Sequence, residues 1–250
     1  MMRPILFLPI VIACSAGTVA AQDAGNLFDF RFGVGPGFGP GYVGADETAF
    51  KPGIKFQLEA LRLGTLEAGG ETRYGLGFGT SARFVSGRDP ADYDELSGLD
   101  VIDPSLELGG GLRFETPDYR VFADLRYGVI GHESFVAELG GDLYYRPSEK
   151  WTLQAGPRVL LGDESYAQTY FGVTAEESAT SAFDAYDAGA GVISAGAKAE
   201  AIYAINDDWE VVGTLRYDRL QGDAASSPIT QSEDQISGSV VLTRRITFGF

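Results

Sequence analysis

The sequence predicts an all-β chain, specifically a transmembrane antiparallel up-and-down β-barrel of about ten strands, with twelve as the alternative. Three observations lead there. An exported leader is followed by no apolar run near the roughly 20 residues of a membrane helix. Alternation with a period of two recurs along nearly the whole remaining chain, in segments of about ten residues. The connections between these segments alternate between short and long.

The leader is MMRPILFLPIVIACSAGTVAAQ, with one base (Arg3), an apolar run from Ile5 to Ala13 and small residues at Val19, Ala20 and Ala21. It reads as a signal peptide, residues 1–21, leaving residues 22–250 as a single barrel domain. In a competing reading Cys14 is a lipoprotein cysteine, although Val11-Ile12-Ala13 makes a poor lipobox. Cys14 is the only cysteine, so the mature chain is expected to hold no disulfide. Net charge is −16 for the full sequence, and removing Arg3 makes the mature chain more acidic still. Such a surface repels polyanions, which argues against nucleic acid as a partner. The 34 glycines, 16 phenylalanines and 12 tyrosines fit extensive β structure.

The strands follow in order. In LFDFRFGV, residues 27–34, Phe28, Phe30, Phe32 and Val34 face one way while Asp29, Arg31 and Gly33 face the other. In YRVFADLRYG, Tyr119, Val121, Ala123, Leu125 and Tyr127 oppose Arg120, Asp124 and Arg126. Similar dyads lie at 54–63, 73–85, 105–114, 134–146, 150–161, 189–205, 208–219 and 235–250, giving ten. Short turns are expected at Leu66–Glu71, Glu115–Asp118, Pro147–Glu149 and Asn206–Asp207. Long loops are expected at 35–52, 86–104, 162–188 and 220–234, with Gly131–Glu133 a short member of that set. Outer-membrane barrels place short turns in the periplasm and long loops outside. An even strand count then puts both termini on the periplasmic side. YAQTYFGV, residues 166–173, alternates like a strand but would reverse that topology, so it is assigned to an external loop folded into the barrel mouth. Twelve strands would require it to pair within 174–188.

The two faces differ in chemistry. One carries Phe28, Phe56, Phe78, Leu108, Leu125, Leu139, Leu153, Ala197, Leu215 and Leu242, suited to lipid. The other carries the bases Arg31, Lys55, Arg73, Arg83, Arg113, Arg120, Arg126, Arg146, Arg158, Lys198 and Arg216. It also carries the acids Asp29, Glu59, Glu107, Asp124, Glu138, Asp142, Glu200, Glu210 and Asp218, nearly balancing them. Enclosed charges must be paired or hydrated, so a cross-linked polar lumen is expected. The last strand ends in a row of Val240, Leu242, Ile246, Phe248 and Phe250, interrupted by Arg244. Outer-membrane barrels commonly end this way, and the resemblance implies a barrel-assembly signal, here Ile246, Phe248 and Phe250.

Other motifs carry less. GVGPGFGPG at 33–41 superficially suggests a phosphate loop, but Pro36 and Pro40 forbid the helix that such a loop requires, so a flexible loop is expected. His132, the only histidine, lies in GHES with Glu133 and Ser134, and a turn histidine is favoured over a Ser134–His132 hydrolase pair. One histidine without mature cysteine builds no usual zinc site. Loop 86–104 sets Asp89, Asp92, Asp94, Glu95, Asp100 and Asp103 against Arg88 alone, and loop 162–188 holds acids and no base. DPADYDE lacks the spacing of a calcium loop, so a solvated acidic loop is expected. No cofactor and no catalytic residue are assigned.

Three stretches resemble the MltA-interacting protein family, also called MipA/OmpV. They are Pro40-Gly41-Tyr42-Val43-Gly44-Ala45-Asp46, then Tyr170-Phe171-Gly172-Val173 followed by Ser181 and Tyr186, and Leu220-Gln221-Gly222-Asp223-Ala224-Ala225-Ser226-Ser227-Pro228-Ile229. The resemblance implies an outer-membrane protein without established enzymatic activity, in contact with outer-membrane lipid and the barrel assembly machinery. It further implies a scaffold between periplasmic murein enzymes, a lytic transglycosylase and a peptidoglycan synthase, while other members are linked to adhesion, osmotic response or antibiotic uptake. The motifs fall at the expected external mouth, away from murein, which makes Tyr170, Phe171, Gly172, Asp223, Ser227 and Pro228 candidates for a mouth plug or ligand site. A narrow cation-preferring pore is the alternative function, and a barrel hydrolase built on His132 a third.

Overall fold

The computed structural model describes residues 26–64, 66–69 and 74–250; the leader and Arg73 lie outside them. Ten long strands and one short one form a single antiparallel sheet. They are β1 (Leu27–Pro40), β2 (Thr48–Leu63), β3 (Leu66–Gly69), β4 (Gly75–Val85), β5 (Ser105–Glu115) and β6 (Tyr119–Ile130). The remainder are β7 (Phe135–Ser148), β8 (Trp151–Gly162), β9 (Gly191–Ala204), β10 (Trp209–Leu220) and β11 (Asp234–Gly249). The order β3-β2-β1-β11-β10-β9-β8-β7-β6-β5-β4 wraps the sheet into a nearly closed barrel, with the first and last long strands paired from Leu27↔Gly249 to Phe38↔Gly238. The Phe250 N–H donates to Asn26 O at 3.1 Å, so the start of β1 and the end of β11 meet at one rim.

That rim carries the tight turns. Thr116 Oγ1 accepts from the Asp118 and Tyr119 N–H groups, and Asn206 Oδ1 accepts from Asp208 and Trp209 at 3.0 and 2.9 Å. These side chains imitate backbone turn bonds, which is why Thr and Asn stand there. The opposite rim carries loops 41–47, 86–104, 131–134, 163–190 and 221–233. Three short helices lie in them: α1 (Glu164–Phe171), α2 (Ala175–Thr180) and α3 (Gly222–Ser226).

Three expectations need correction. The segment Gly33–Pro40 is strand, not flexible loop, and continues β1 between β11 and β2. Its glycines let the neighbouring strands close in: a Cβ on Gly35 would sit 2.0 Å from Val240 O. The ladder to β11 is interrupted at Gly35 and Pro36, where proline's missing N–H costs nothing. Second, Leu66–Gly69 is no turn; it pairs with Ala60–Leu63, the chain having reversed at Gly64 with φ +59°. Third, the twelve-strand alternative falls: YAQTYFGV lies in a loop at the barrel mouth, as assigned, with residues 166–171 in helix α1 rather than in a strand.

The faces divide as the dyads require. Phe56, Phe78, Leu108, Leu125, Leu139, Leu215 and Leu242 are exposed on the outside although large and apolar, as lipid-facing side chains are. On the closing strand Val240, Leu242, Phe248 and Phe250 are exposed and Ile246 half-buried. Arg244, which breaks that row, lays its guanidinium 5.4 Å from the Trp209 ring at the tight-turn rim.

Candidate functional site

Inward-facing charges form a lattice of ion-paired clusters. Arg126 on β6 donates through Nε to Glu107 at 3.0 Å and through Nη2 to Glu138 at 2.9 Å. Glu107 also receives Arg83, and Glu138 receives Arg216 at 3.0 Å. Arg158 and Arg120 both reach Asp142 at 2.6 Å. Lys55 and Lys198 share Glu200 at 2.7 and 3.1 Å, while Arg31 stands between Glu59 and Glu210. Two of these pairs cross the lumen. Arg216 on β10 meets Glu138 on β7, and Lys55 on β2 meets Glu200 on β9, with two and three strands between them in the sheet, whereas Arg31–Glu210 skips only β11. Each bridge sets side chains where an open channel would have water.

Above the lattice, α1 closes the loop rim. Asp163 caps it by accepting from Tyr166 N and holds Phe135 N with its other oxygen, both at 2.8 Å. Tyr166, Ala167, Tyr170 and Phe171 are buried, the i, i+1, i+4, i+5 spacing of one helix face. That face rests on Val85, Val136, Leu160, Ile193 and Leu220 from the strand ends. The Tyr166 hydroxyl receives Arg83 at 3.1 Å, joining cap to lattice. Burial raises the phenol pKa of Tyr166 and of Tyr170, keeping both neutral as hydrogen-bonding groups.

His132 sits beneath this cap, with its ring edge-on to Tyr166 and Tyr170 at 5.2 and 5.7 Å. Its Nε2 pairs with Glu107 at 3.1 Å and its Nδ1 accepts from Ser134 N at 3.2 Å. The Ser134 hydroxyl donates to His132 O at 2.6 Å, not to the ring. Both ring nitrogens are occupied, so no nucleophile–base pair exists here. The turn position is as expected, but the side chain is buried in the lattice. Among the described residues no three His, Cys, Asp or Glu side chains are grouped for a metal. DPADYDE forms two 3-10 turns, the first capped by Asp89 accepting from Ala91 N at 2.9 Å.

The family-like segments are brought together by the cap. Tyr170 and Phe171 are interior: Tyr170 OH lies 3.1 Å from Ser105 Oγ, and Phe171 O accepts from Ser227 Oγ at 2.6 Å. Pro228 is half-buried beside Ile229, which packs with Tyr42, Ala45, Leu96, Leu99 and Val173 in a second small core. Gly172 and Asp223 open instead onto a cavity of about 1240 Å³ at the loop rim, where Asp223 Oδ2 accepts from Gly189 N at 2.8 Å. Arg88 also lines this cavity, a residue the sequence marked only as the lone base of an acidic loop. Its Arg88↔Ile102 bridge could not be foreseen from alternation, because it lies outside any strand.

The family model and two curated relatives are consistent with an outer-membrane protein. A family model described as MltA-interacting protein MipA matches residues 32–246. The outer membrane protein Omp26La of Vibrio anguillarum is 26% identical over 202 residues, covering 78% of this chain and 72% of its own length. The outer membrane protein OmpV of Vibrio cholerae serotype O1 is 26% identical over 230 residues, covering 89% and 82%. Among solved structures, the CymD monoaromatic hydrocarbon channel aligns over 92% of this chain and 89% of its own, at 12% identity and a TM-score of 0.32. Neisserial surface protein A aligns over 89% and 97%, at 8% identity and a TM-score of 0.26. The barrel with its apolar exterior and the two named relatives place the protein in the outer membrane. With its matched segment running from β1 into β11, the chain belongs to the MltA-interacting protein (MipA) family.

Proposed function

We propose that this protein is a non-enzymatic, structural outer-membrane barrel, closed to free diffusion, that works through the surfaces at its two ends. The observation that carries the reading is the pair of lumen-crossing bridges, Arg216–Glu138 and Lys55–Glu200, beneath the α1 cap. A barrel of about ten strands has an interior that side chains nearly fill, and here those side chains are mutually paired. The paired imidazole of His132 supports the absence of hydrolytic chemistry. The family's name, MltA-interacting protein, supports a scaffold for murein enzymes, whose contacts would lie on the tight-turn rim if that rim faces the periplasm.

Two experiments test this. In a planar bilayer the purified barrel is expected to give no steady conductance; a persistent open channel selective for cations would replace the reading with the pore. Crosslinking in intact envelopes is expected to recover a murein transglycosylase or synthase. Recovery of neither, with the barrel abundant and assembled, would remove the scaffold role.

A further inference from the structure

The loop-rim cavity has a divided chemistry. In its wall lies Arg88, 4% exposed and the only Lys or Arg among its lining residues. The Arg88 guanidinium makes one hydrogen bond among the described residues, from Nη1 to Tyr170 O at 3.3 Å, and its buried Nε has no partner. No described carboxylate forms an ion pair with it; Glu177 and Asp100 act on it only at longer range. A buried arginine left this way forgoes the bidentate carboxylate contact its planar fork is shaped for. Burial also holds its pKa below the usual arginine value.

The rim has the opposite sign. Asp100, Glu164 and Asp187 line the cavity, are exposed, and accept no hydrogen bond from a described side chain or backbone group. The other acids are occupied: Asp163 caps α1, Glu177 caps α2, and Asp223 holds Gly189 N. The unpaired base is therefore recessed and the unpaired acids peripheral. The volume of about 1240 Å³ exceeds the few hundred to 1,000 Å³ typical of small-molecule sites. Ser165, Gln168 and Thr169 of α1 add polar groups along one wall.

We infer that this cavity binds a short zwitterionic peptide, with its terminal carboxylate on Arg88 and its ammonium among Asp100, Glu164 and Asp187. A purely cationic ligand would use the rim and leave the guanidinium uncompensated. An anion alone would have to pass three free carboxylates.

The test is calorimetric titration of the mature barrel in detergent with free tetra-alanine, its C-terminal amide and its N-acetyl derivative. Free tetra-alanine is expected to bind, and amidation or acetylation each to weaken it by about tenfold or more, the loss of one charge-assisted contact. In Arg88→Gln, judged folded by its heat-modifiable gel mobility, amidation should bring no further loss. In Asp187→Asn the penalty for acetylation should shrink. The end-blocked peptides test the wild-type protein even if Arg88→Gln does not assemble. Absence of binding by free tetra-alanine at millimolar concentration would overturn the inference. So would equal binding of the amide, or tighter binding of spermidine that is insensitive to Arg88→Gln.

Discussion

Glu138 accepts from Arg126 and Arg216 and lies 3.8 Å from Arg158, so a single carboxylate joins three guanidinium groups from β6, β10 and β8. Removing that carboxylate leaves Arg126, Arg158 and Arg216 each with one remaining acid, Glu107, Asp142 and Asp218, so the cost is at most the about 3–5 kcal/mol of breaking a buried pair. Glu138→Gln keeps the shape and deletes the charge. It should lower the temperature at which the folded barrel converts to the unfolded band on a detergent gel, whereas Glu233→Gln, in an exposed pair with Arg219, should leave it nearly unchanged. An equal effect of the two would show that the lattice does not hold the barrel. On the outer face Leu215, 54% exposed near the middle of β10, offers the complementary test. In water an exposed Leu→Arg change is nearly neutral, but at a bilayer midplane arginine costs about 2–4 kcal/mol. Leu215→Arg should therefore destabilise the barrel in lipid vesicles, measured by urea-driven unfolding, and a neutral result would contradict the lipid-facing assignment.

The cap is an element with its own stability, because its contacts are tertiary and its helices are too short to persist alone. Ser227 Oγ donates to Phe171 O and accepts from Ile229 N at 3.3 Å, joining α1 to the segment after α3. Ser227→Ala strands a buried carbonyl at a cost of about 1–3 kcal/mol. It should speed hydrogen exchange in loop 163–190 while the strand amides keep their protection. Helix α2 is fastened by a capping box, in which Thr174 Oγ1 accepts from Glu177 N at 3.1 Å and Glu177 accepts from Thr174 N at 2.9 Å. Glu177 also accepts from Asp100 N at 3.0 Å, tying α2 to loop 86–104. Burial alone would raise the Glu177 pKa, but these backbone and hydroxyl donors, helped by Arg88, outweigh it and hold it below the usual glutamate range. A depressed folded pKa adds stability above the unfolded value that is lost as pH falls through the folded one. Proteolysis of loop 86–104 should thus rise on acidification below the ordinary glutamate range. In Glu177→Gln cleavage should already be raised at neutral pH and change little with acid. This cap was only partly legible in the sequence. Tyr166, Ala167, Tyr170 and Phe171 have helical spacing behind a capping Asp163, yet Tyr166, Gln168 and Tyr170 also satisfy a dyad over so short a run.

For the whole molecule, what could be read from the chain was whatever alternation controls. Period two assigns the two faces, so alternation alone puts the charged lattice members from Arg31 to Arg216, His132 apart, on the inner face. Which acid meets which base was not readable, because Arg216–Glu138 and Lys55–Glu200 depend on how the sheet curls and not on local pattern. The glycine and proline of β1 hid a strand for the same reason, since their value lies in neighbours far along the chain. The proposed closure of the lumen is likewise a property of the entire barrel, and lattice and cap can be separated experimentally. The rims of β8 and β9 are neighbours, paired Gly162↔Gly191, so residues 164–188 can be replaced by a short Gly-Ser linker without straining the ladder. With α1 and α2 gone, the bridges from Arg216 and Lys55 remain, and bilayer conductance should stay low. Adding Glu138→Ala and Glu200→Ala removes the acceptors of both crossings and should produce measurable, salt-dependent current. A large steady conductance from the linker variant alone would assign closure to the cap and leave the lattice a purely stabilising role.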